Sequence, residues 1–247
     1  MMSVLGVIPA RYGSQRFPGK VIAPIGKKPM VQWVYEAASR CKDLDNLIVA
    51  TDDERVRDAV KGFGGEVIMT SEHHKAGSDR LAEVAESYKD NDIIVNIQGD
   101  EPGIEPELIS GVVRLLKDHP EWEVTTAARP FEDAEDPLIP NRVKLTLTRK
   151  GKVLYFSRSL IPFPRNKTGQ PVFLHLGIYA YRREFLLRFR TLPQSGLEDT
   201  ESLEQLRVLE NDFSMGAHLV QGSLPGIDTP EDLQNLIGIF KKKGLLE

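Results

Sequence analysis

Short runs of β-branched and other apolar residues alternate along the chain with longer segments whose apolar residues recur every three or four positions. The runs VLGVI, NLIVATD, EVIMT, DIIVNIQGD and EVTTAA predict strands, and the segments between them predict helices. Strands and helices in strict alternation predict a mainly parallel sheet covered on both faces, a Rossmann-like three-layer α/β/α arrangement. The first helix is the clearest: Met30, Val34, Ala37, Ala38 and Cys41 form one buried stripe, and Pro29 suits a first helical turn. After about Phe131 the pattern changes. DPLIPNRVKLTLTRKGKVLYFSR predicts a strand, a turn at Lys150–Gly151 and a second strand, an antiparallel insertion in the parallel sheet. HLGIYAYRREFLLRF then predicts a strand running into a helix, and SLEQLRVLEN a further helix. TPEDLQNLIGIFKKK predicts a closing helix with Thr229 as its cap and Pro230 behind it. With no repeat, low-complexity tract or linker, residues 1–247 read as one domain.

Composition narrows the partners. With 32 Lys and Arg against 36 Asp and Glu, the net charge is −4, so no general basic surface exists to neutralise a nucleic acid. The single cysteine, Cys41, can form no internal disulfide and suits a reducing compartment. The first residues lack the apolar core of a secretory leader, and no apolar run approaches the ~20 residues that span a bilayer. The expectation is a cytoplasmic protein without membrane insertion.

In open α/β sheets, ligands sit beyond the carboxyl ends of the strands, so the residues just after each strand carry the most chemical interest. Four such edges stand out: RYGSQRFPGK, ATDDE, QGDEP and GIDTPED. The first brings Arg11, Arg16 and Lys20 together in one loop, where Gly13 and Gly19 let backbone amides approach a ligand. Polyphosphate is the ligand such a loop suits. It is not a Walker A loop, because five residues rather than four separate Gly13 from Gly19-Lys20 and Val21 stands in place of Ser or Thr. GFGG at residues 62–65 precedes a strand instead of following one, and reads as a helix stop rather than a dinucleotide fingerprint. QGDEP ends an apolar strand in a carboxylate: Asp100 is placed to hold magnesium, which needs only one or two protein carboxylates beside substrate phosphates, with Glu101 ranked behind it. His73 and His74 read as ordinary loop residues.

Taken in order, IPARYGSQRFPGK, ATDDE, GSDRLAEV, VNIQGDEP, YFSR, HLGIYAY, LEQLR and GIDTPEDL cover nearly the whole chain and fade only around residues 166–172. In this combination the sequence resembles the 3-deoxy-manno-octulosonate (Kdo) cytidylyltransferases of the sugar nucleotidyltransferase superfamily. The first loop alone would fit the wider group, sialic acid cytidylyltransferases included; the later motifs narrow it.

The resemblance implies a nucleotidyltransferase fold and a reaction of CTP with Kdo, with Mg2+ present, that gives CMP-Kdo and pyrophosphate for lipopolysaccharide synthesis. It also implies a homodimer, with roughly residues 131–210 as the sugar-site and dimerisation subdomain. Arg11, Arg16, Lys20 and Asp100 would then be catalytic. Ala10, Arg11, Gly13, Lys20, Ser78, Arg80 and Gln98 would bind the nucleotide, and Gln98, Arg158, His175, Tyr179, Glu204 and Gln205 the sugar. Asp100 and Asp228 would hold the metal. GSDR also reads as a plain helix start capped by Ser78, His175 as a structural histidine, and LEQLR as a helix-packing face. Two other functions remain open on sequence: nucleotidyl transfer to another sugar, and a catalytically silent nucleotide-binding protein on the same scaffold.

Overall fold

The computed structural model describes residues 2–13, 17–74, 76–166, 168–222, 224 and 226–246. Its first half follows the alternation in the sequence: β1 (Val4–Pro9), a short hairpin of β2 (Pro24–Ile25) and β3 (Lys28–Pro29), α1 (Met30–Ala38), β4 (Asn46–Thr51), α2 (Glu54–Gly62), β5 (Val67–Met69), α3 (Gly77–Ser87), β6 (Ile93–Asn96), α4 (Pro106–Asp118) and β7 (Val124–Pro130). The second half adds β8 (Lys144–Leu147), β9 (Val153–Ser157), β10 (Phe173–Arg182), α5 (Arg183–Phe189), α6 (Gly196–Glu201), α7 (Leu206–Glu210), β11 (Met215–Leu219) and α8 (Pro230–Lys242).

The central sheet runs β11-β7-β10-β6-β1-β4-β5, with β8 joined to β10 and β9 to β8. β4, β1 and β6 are parallel neighbours and β11 runs parallel to β7, whereas β10 enters antiparallel between β6 and β7. The β8–β9 hairpin turns at Gly151, whose φ of +83° places it in the region that favours glycine. This is the mainly parallel sheet with an antiparallel insertion that the pattern predicts.

Side-chain alternation sends the two faces of the sheet into separate cores. On one face Val4 and Ile8 pack with Val31 and Val34 of α1 and Val112 of α4; on the other Leu5 and Val7 pack with Leu81 and Val84 of α3 and Phe185 of α5. A third cluster joins Leu233, Leu236 and Phe240 of α8 to Ile25 and Met30, with the rings of Trp33 and Phe240 5.0 Å apart. This small core fixes the β2–β3 hairpin, and with it the loop after β1, against the last helix.

The details depart from the pattern in four places. Pro29 lies outside α1, as its extended N-cap, and Cys41 is buried just beyond the helix rather than on it. SLEQLRVLEN is helical only in its second half, as α7, and the residues just before it form α6, which the pattern does not predict. Ser202 turns left-handed at φ 49° and ends α6, and Arg207 of α7 then folds back onto Glu198 of α6 through two bonds of 2.6 and 2.5 Å. Ser78 does not cap α3, which starts at Gly77; Asp79 closes that end by accepting from the Ala76 amide at 3.2 Å. Finally, β11 falls in MGAHL, where a glycine interrupts the apolar run and hides the strand from its period.

That glycine has a packing reason. A Cβ on Gly216 would lie 2.0 Å from Cζ3 of Trp122, a buried ring stacked on His119 at 3.8 Å and therefore unable to swing aside. Gly216→Ala is expected to lower stability by about 1–3 kcal/mol through overpacking; an unchanged urea midpoint would show that the ring gives way freely.

Candidate active site

The loop after β1 is shaped by local backbone geometry. The Gly19 amide donates to the Tyr12 carbonyl at 2.7 Å with φ +72°, and a Cβ there would press on the Tyr12 ring at 3.0 Å. Lys20 follows in a single tight turn, residues Lys20–Ile22. At the end of β6, a Cβ on Gly99 would stand 2.8 Å from the Pro9 carbonyl oxygen, so only glycine lets the two strand ends approach this closely. The result is a three-way junction. The Lys20 ammonium donates to Asp100 Oδ2 at 2.5 Å and to the Ile227 carbonyl at 2.8 Å, and lies 3.5 Å from Asp228 Oδ1. The Ile227 amide in turn donates to the Asp100 carbonyl at 2.9 Å.

The start of α8 holds Asp228 in place. Asp232 Oδ2 accepts from the amides of Asp228 at 3.1 Å and Thr229 at 2.8 Å, while the Thr229 hydroxyl accepts from the Asp232 amide at 3.2 Å. Thr229 is the cap the sequence predicts, and the Asp228 carboxylate is left facing Lys20 with half its surface in solvent, 51% against 27% for Asp100. Among the described residues no cluster of three or more acidic, histidine or cysteine side chains could enclose a metal. Two carboxylates converging on one cationic point do suit magnesium, which takes its remaining ligands from phosphate and water.

The neighbouring wall carries the other nucleotide candidates. Ala10 is buried and its amide donates to the Ala50 carbonyl at 2.9 Å; a side chain at Gly13 would meet open space. The Arg11 guanidinium donates to the carbonyls of His74 and Ala76, and burial, with Arg80 nearby, lowers its pKa below the ordinary range. Arg16 lies outside the described residues. Arg80 is wholly buried, paired to Asp52 at 2.6 Å and donating to the Thr70 hydroxyl, so its contacts lie behind the wall. The motif ATDDE thus supplies Asp52 as a partner for Arg80.

The sugar candidates gather along the other side. The Ser78 hydroxyl donates to Glu204 Oε1 at 2.5 Å, and burial raises the Glu204 pKa. Gln205 stands beside it as the first position before α7. Tyr179, its pKa raised by burial and by Glu204, has its ring 5.4 Å from His175. Gln98 donates from Nε2 to the Gly177 carbonyl at 2.9 Å. Arg158 is engaged elsewhere: it donates to the carbonyls of Glu201 at 2.6 Å, Ser202 at 3.1 Å and Pro140 at 3.3 Å, while Glu201 accepts from the Arg158 amide at 2.9 Å. The buried Lys144 ammonium donates to the Arg158 and Ile139 carbonyls, which ties the insertion to this corner.

Several partners have no signal in the sequence. Lys144 reads as an ordinary strand residue, and Glu201 as a helix surface. Thr126 lies in a plain strand, yet its hydroxyl is 3.0 Å from His175 Nε2 and donates to the Ile178 carbonyl at 2.8 Å, which leaves the imidazole N–H to donate to Thr126. His74, read as a loop residue, pairs with Glu83 and offers Arg11 its carbonyl. Glu101 is pushed up to about 8, first by burial and then by Asp100.

The sheet order, the cationic loop and the paired carboxylates define a nucleotidyltransferase, and a profile of the family Cytidylyltransferase matches residues 5–215. The chain is 54% identical over 244 residues, 98% of each protein, to a 3-deoxy-manno-octulosonate cytidylyltransferase of Leptospira biflexa. An 8-amino-3,8-dideoxy-manno-octulosonate cytidylyltransferase of Shewanella sediminis is 46% identical over 94% of this chain and 96% of its own. The solved structure of a CMP:2-keto-3-deoxy-manno-octonic acid synthetase complexed with CTP superposes with a TM-score of 0.94, at 41% identity over 98% of this chain and 99% of that one. The chain belongs to the 3-deoxy-manno-octulosonate cytidylyltransferase family.

Burial holds the His175 pKa down to about 4, so the native imidazole is neutral. The unfolded chain, with an ordinary value of about 6.5, takes up the proton first, and stability is therefore lost as pH falls from about 6.5 through 4. His175→Phe is expected to remove a loss on the order of 1–3 kcal/mol across that window. Superimposable stability–pH curves for the two proteins would show that the imidazole is protonated without cost.

Proposed function

We propose that the protein transfers CMP from CTP to Kdo, giving CMP-Kdo and pyrophosphate, with magnesium held between nucleotide and sugar by Asp100 and Asp228. The observation that carries this reading is the Lys20 junction. In-line transfer at phosphorus demands little covalent chemistry from the protein and much charge placement, and the junction brings one ammonium and two carboxylates together, which supports this reading. When bound, magnesium would neutralise phosphate oxygens and orient the attacking hydroxyl. Lys20 and Arg11 bind the triphosphate and stabilise the charge that develops on the departing pyrophosphate. Arg16, in the same loop sequence, has the same assignment, and the open position at Gly13 leaves room for phosphate.

Ala10, Ser78 and Gln98 border the nucleotide, while Arg80 works from behind the wall by holding Asp52 and Thr70. Glu204, Gln205, His175 and Tyr179 border the sugar. Ser78 links the two groups through its bond to Glu204. Arg158, its donors spent on the carbonyls of residues 140, 201 and 202, positions the insertion beside the sugar. The exposed Leu154 on β9 and Phe163 beyond it, 58% and 82% accessible, supply apolar surface for a homodimer, which sedimentation velocity would detect. The protein is expected to work in the cytoplasm, where CTP is available.

Pyrophosphate release requiring CTP, Kdo and magnesium together is the direct test; release with CTP alone, or none with Kdo, would overturn the assignment. Lys20→Ala is expected to lower kcat/KM by about 10²-fold or more while the circular dichroism spectrum is kept. A folded, fully active variant would remove Lys20 from the chemistry. Asp228→Asn should lower turnover and raise the magnesium concentration needed for half-maximal rate, and an unchanged magnesium dependence would leave Asp100 as the sole carboxylate ligand.

A further inference from the structure

Beside the Lys20 junction lies a cavity of about 300 Å³ that the sugar motif HLGIYAY lines on one side only. Its inner wall is made by Glu101, His175, Gly177 and Gly226, and its outer wall by Arg129 of β7 with Glu135 and Arg142 of the insertion. A Cβ on Gly226 would lie 3.5 Å from Glu101 Cγ and 3.8 Å from the Asp100 carbonyl oxygen, so this wall of the cavity packs against the backbone of the junction.

The outer wall has an unequal distribution of partners. Arg129 grips Glu135 with two bonds, 2.6 and 2.7 Å, and Glu135 also accepts from the Glu132 amide at 2.9 Å. Arg142 reaches Glu135 only at 4.0 Å, beyond hydrogen-bond distance. Nη1 of Arg142 is shielded from solvent and has no hydrogen-bond acceptor. A buried guanidinium N–H without an acceptor is costly, and an oxygen atom arriving in this cavity would relieve that cost. With two arginines, two acids and Asn141 on the lining, the cavity offers both donors and acceptors. That mixture suits a hydroxylated chain better than a bare anion.

We propose that Arg142 reads the far end of the sugar and selects a terminal hydroxyl over a terminal ammonium. This rests on the assignment of Kdo as the acceptor. The argument is one of donors and acceptors: a hydroxyl has lone pairs to receive the Arg142 N–H, whereas an ammonium has none and adds a like charge. The discrimination matters in this family, since the relatives named above differ in whether their sugar carries an 8-amino group. A site whose buried donor is left unpaired rejects the wrong analogue strongly.

The test is steady-state kinetics with Kdo and with 8-amino-3,8-dideoxy-manno-octulosonate, on the native protein and on Arg142→Gln and Arg142→Lys, with thermal melts to verify folding. The native protein should prefer Kdo by about tenfold or more in kcat/KM. Arg142→Gln, whose amide both donates and accepts, should raise KM for Kdo with kcat little changed and bring the ratio between the two sugars towards unity. Arg142→Lys should keep most of the preference for Kdo. If the native protein turns over Kdo but Arg142→Gln leaves both KM and the sugar ratio unchanged, Arg142 does not read the sugar. Absence of turnover with either sugar in the native protein would instead defeat the assignment of Kdo, a distinct result.

Discussion

One ammonium group ties the architecture together. Lys20 draws its three oxygen partners from the end of β6, from the backbone before α8 and from the cap region of that helix. Two carboxylates facing each other in a half-buried crevice would repel, and the lysine between them removes that repulsion while leaving both acids available to a ligand. Without that charge the two carboxylates would face each other uncompensated, while the apolar contacts of the third core would still hold the loop against α8. The glycines at 19 and 99 are subordinate to this constraint, since each permits an approach that the ammonium then holds.

Around that centre, buried polar groups brace several of the binding candidates. Arg80 behind the wall holds Asp52 and Thr70, Thr126 orients His175, and Lys144 with Glu201 fixes Arg158. Such bracing is the usual way that a site keeps its side chains within a fraction of an ångström of their working positions. It also explains why so many charged side chains are deeply buried in one corner: the insertion is joined to the sheet by ions and carbonyls as much as by apolar contact.

The sheet and most helices are legible in the sequence because period-two and period-3.6 patterns are imposed by burial on both faces of one sheet. Elements held by other forces are not. The helical period of SLEQLRVLEN does not show that its first residues are a turn opened by the left-handed Ser202, nor that α7 is held to α6 by the Glu198–Arg207 pair. β11 is hidden by Gly216, whose missing side chain is a matter of Trp122 alone. Lys20, Asp100 and Asp228 are singled out by their loops in the sequence, and the fold brings the three together. Thr126 and Lys144 act on His175 and Arg158, remote from them in sequence, and no local pattern marks them.

The bond between Lys20 and the Ile227 carbonyl spans 207 positions. During synthesis on the ribosome, the cationic loop is therefore made long before the helix that completes its surroundings, and the third core of Ile25, Met30 and α8 cannot close until that helix arrives. A growing chain can build the sheet through β6 and already present Asp100 next to Lys20, but Asp228 is still missing. A chain that ended before Asp228 would lack that carboxylate, the third partner of Lys20, and the apolar contacts by which α8 steadies the loop.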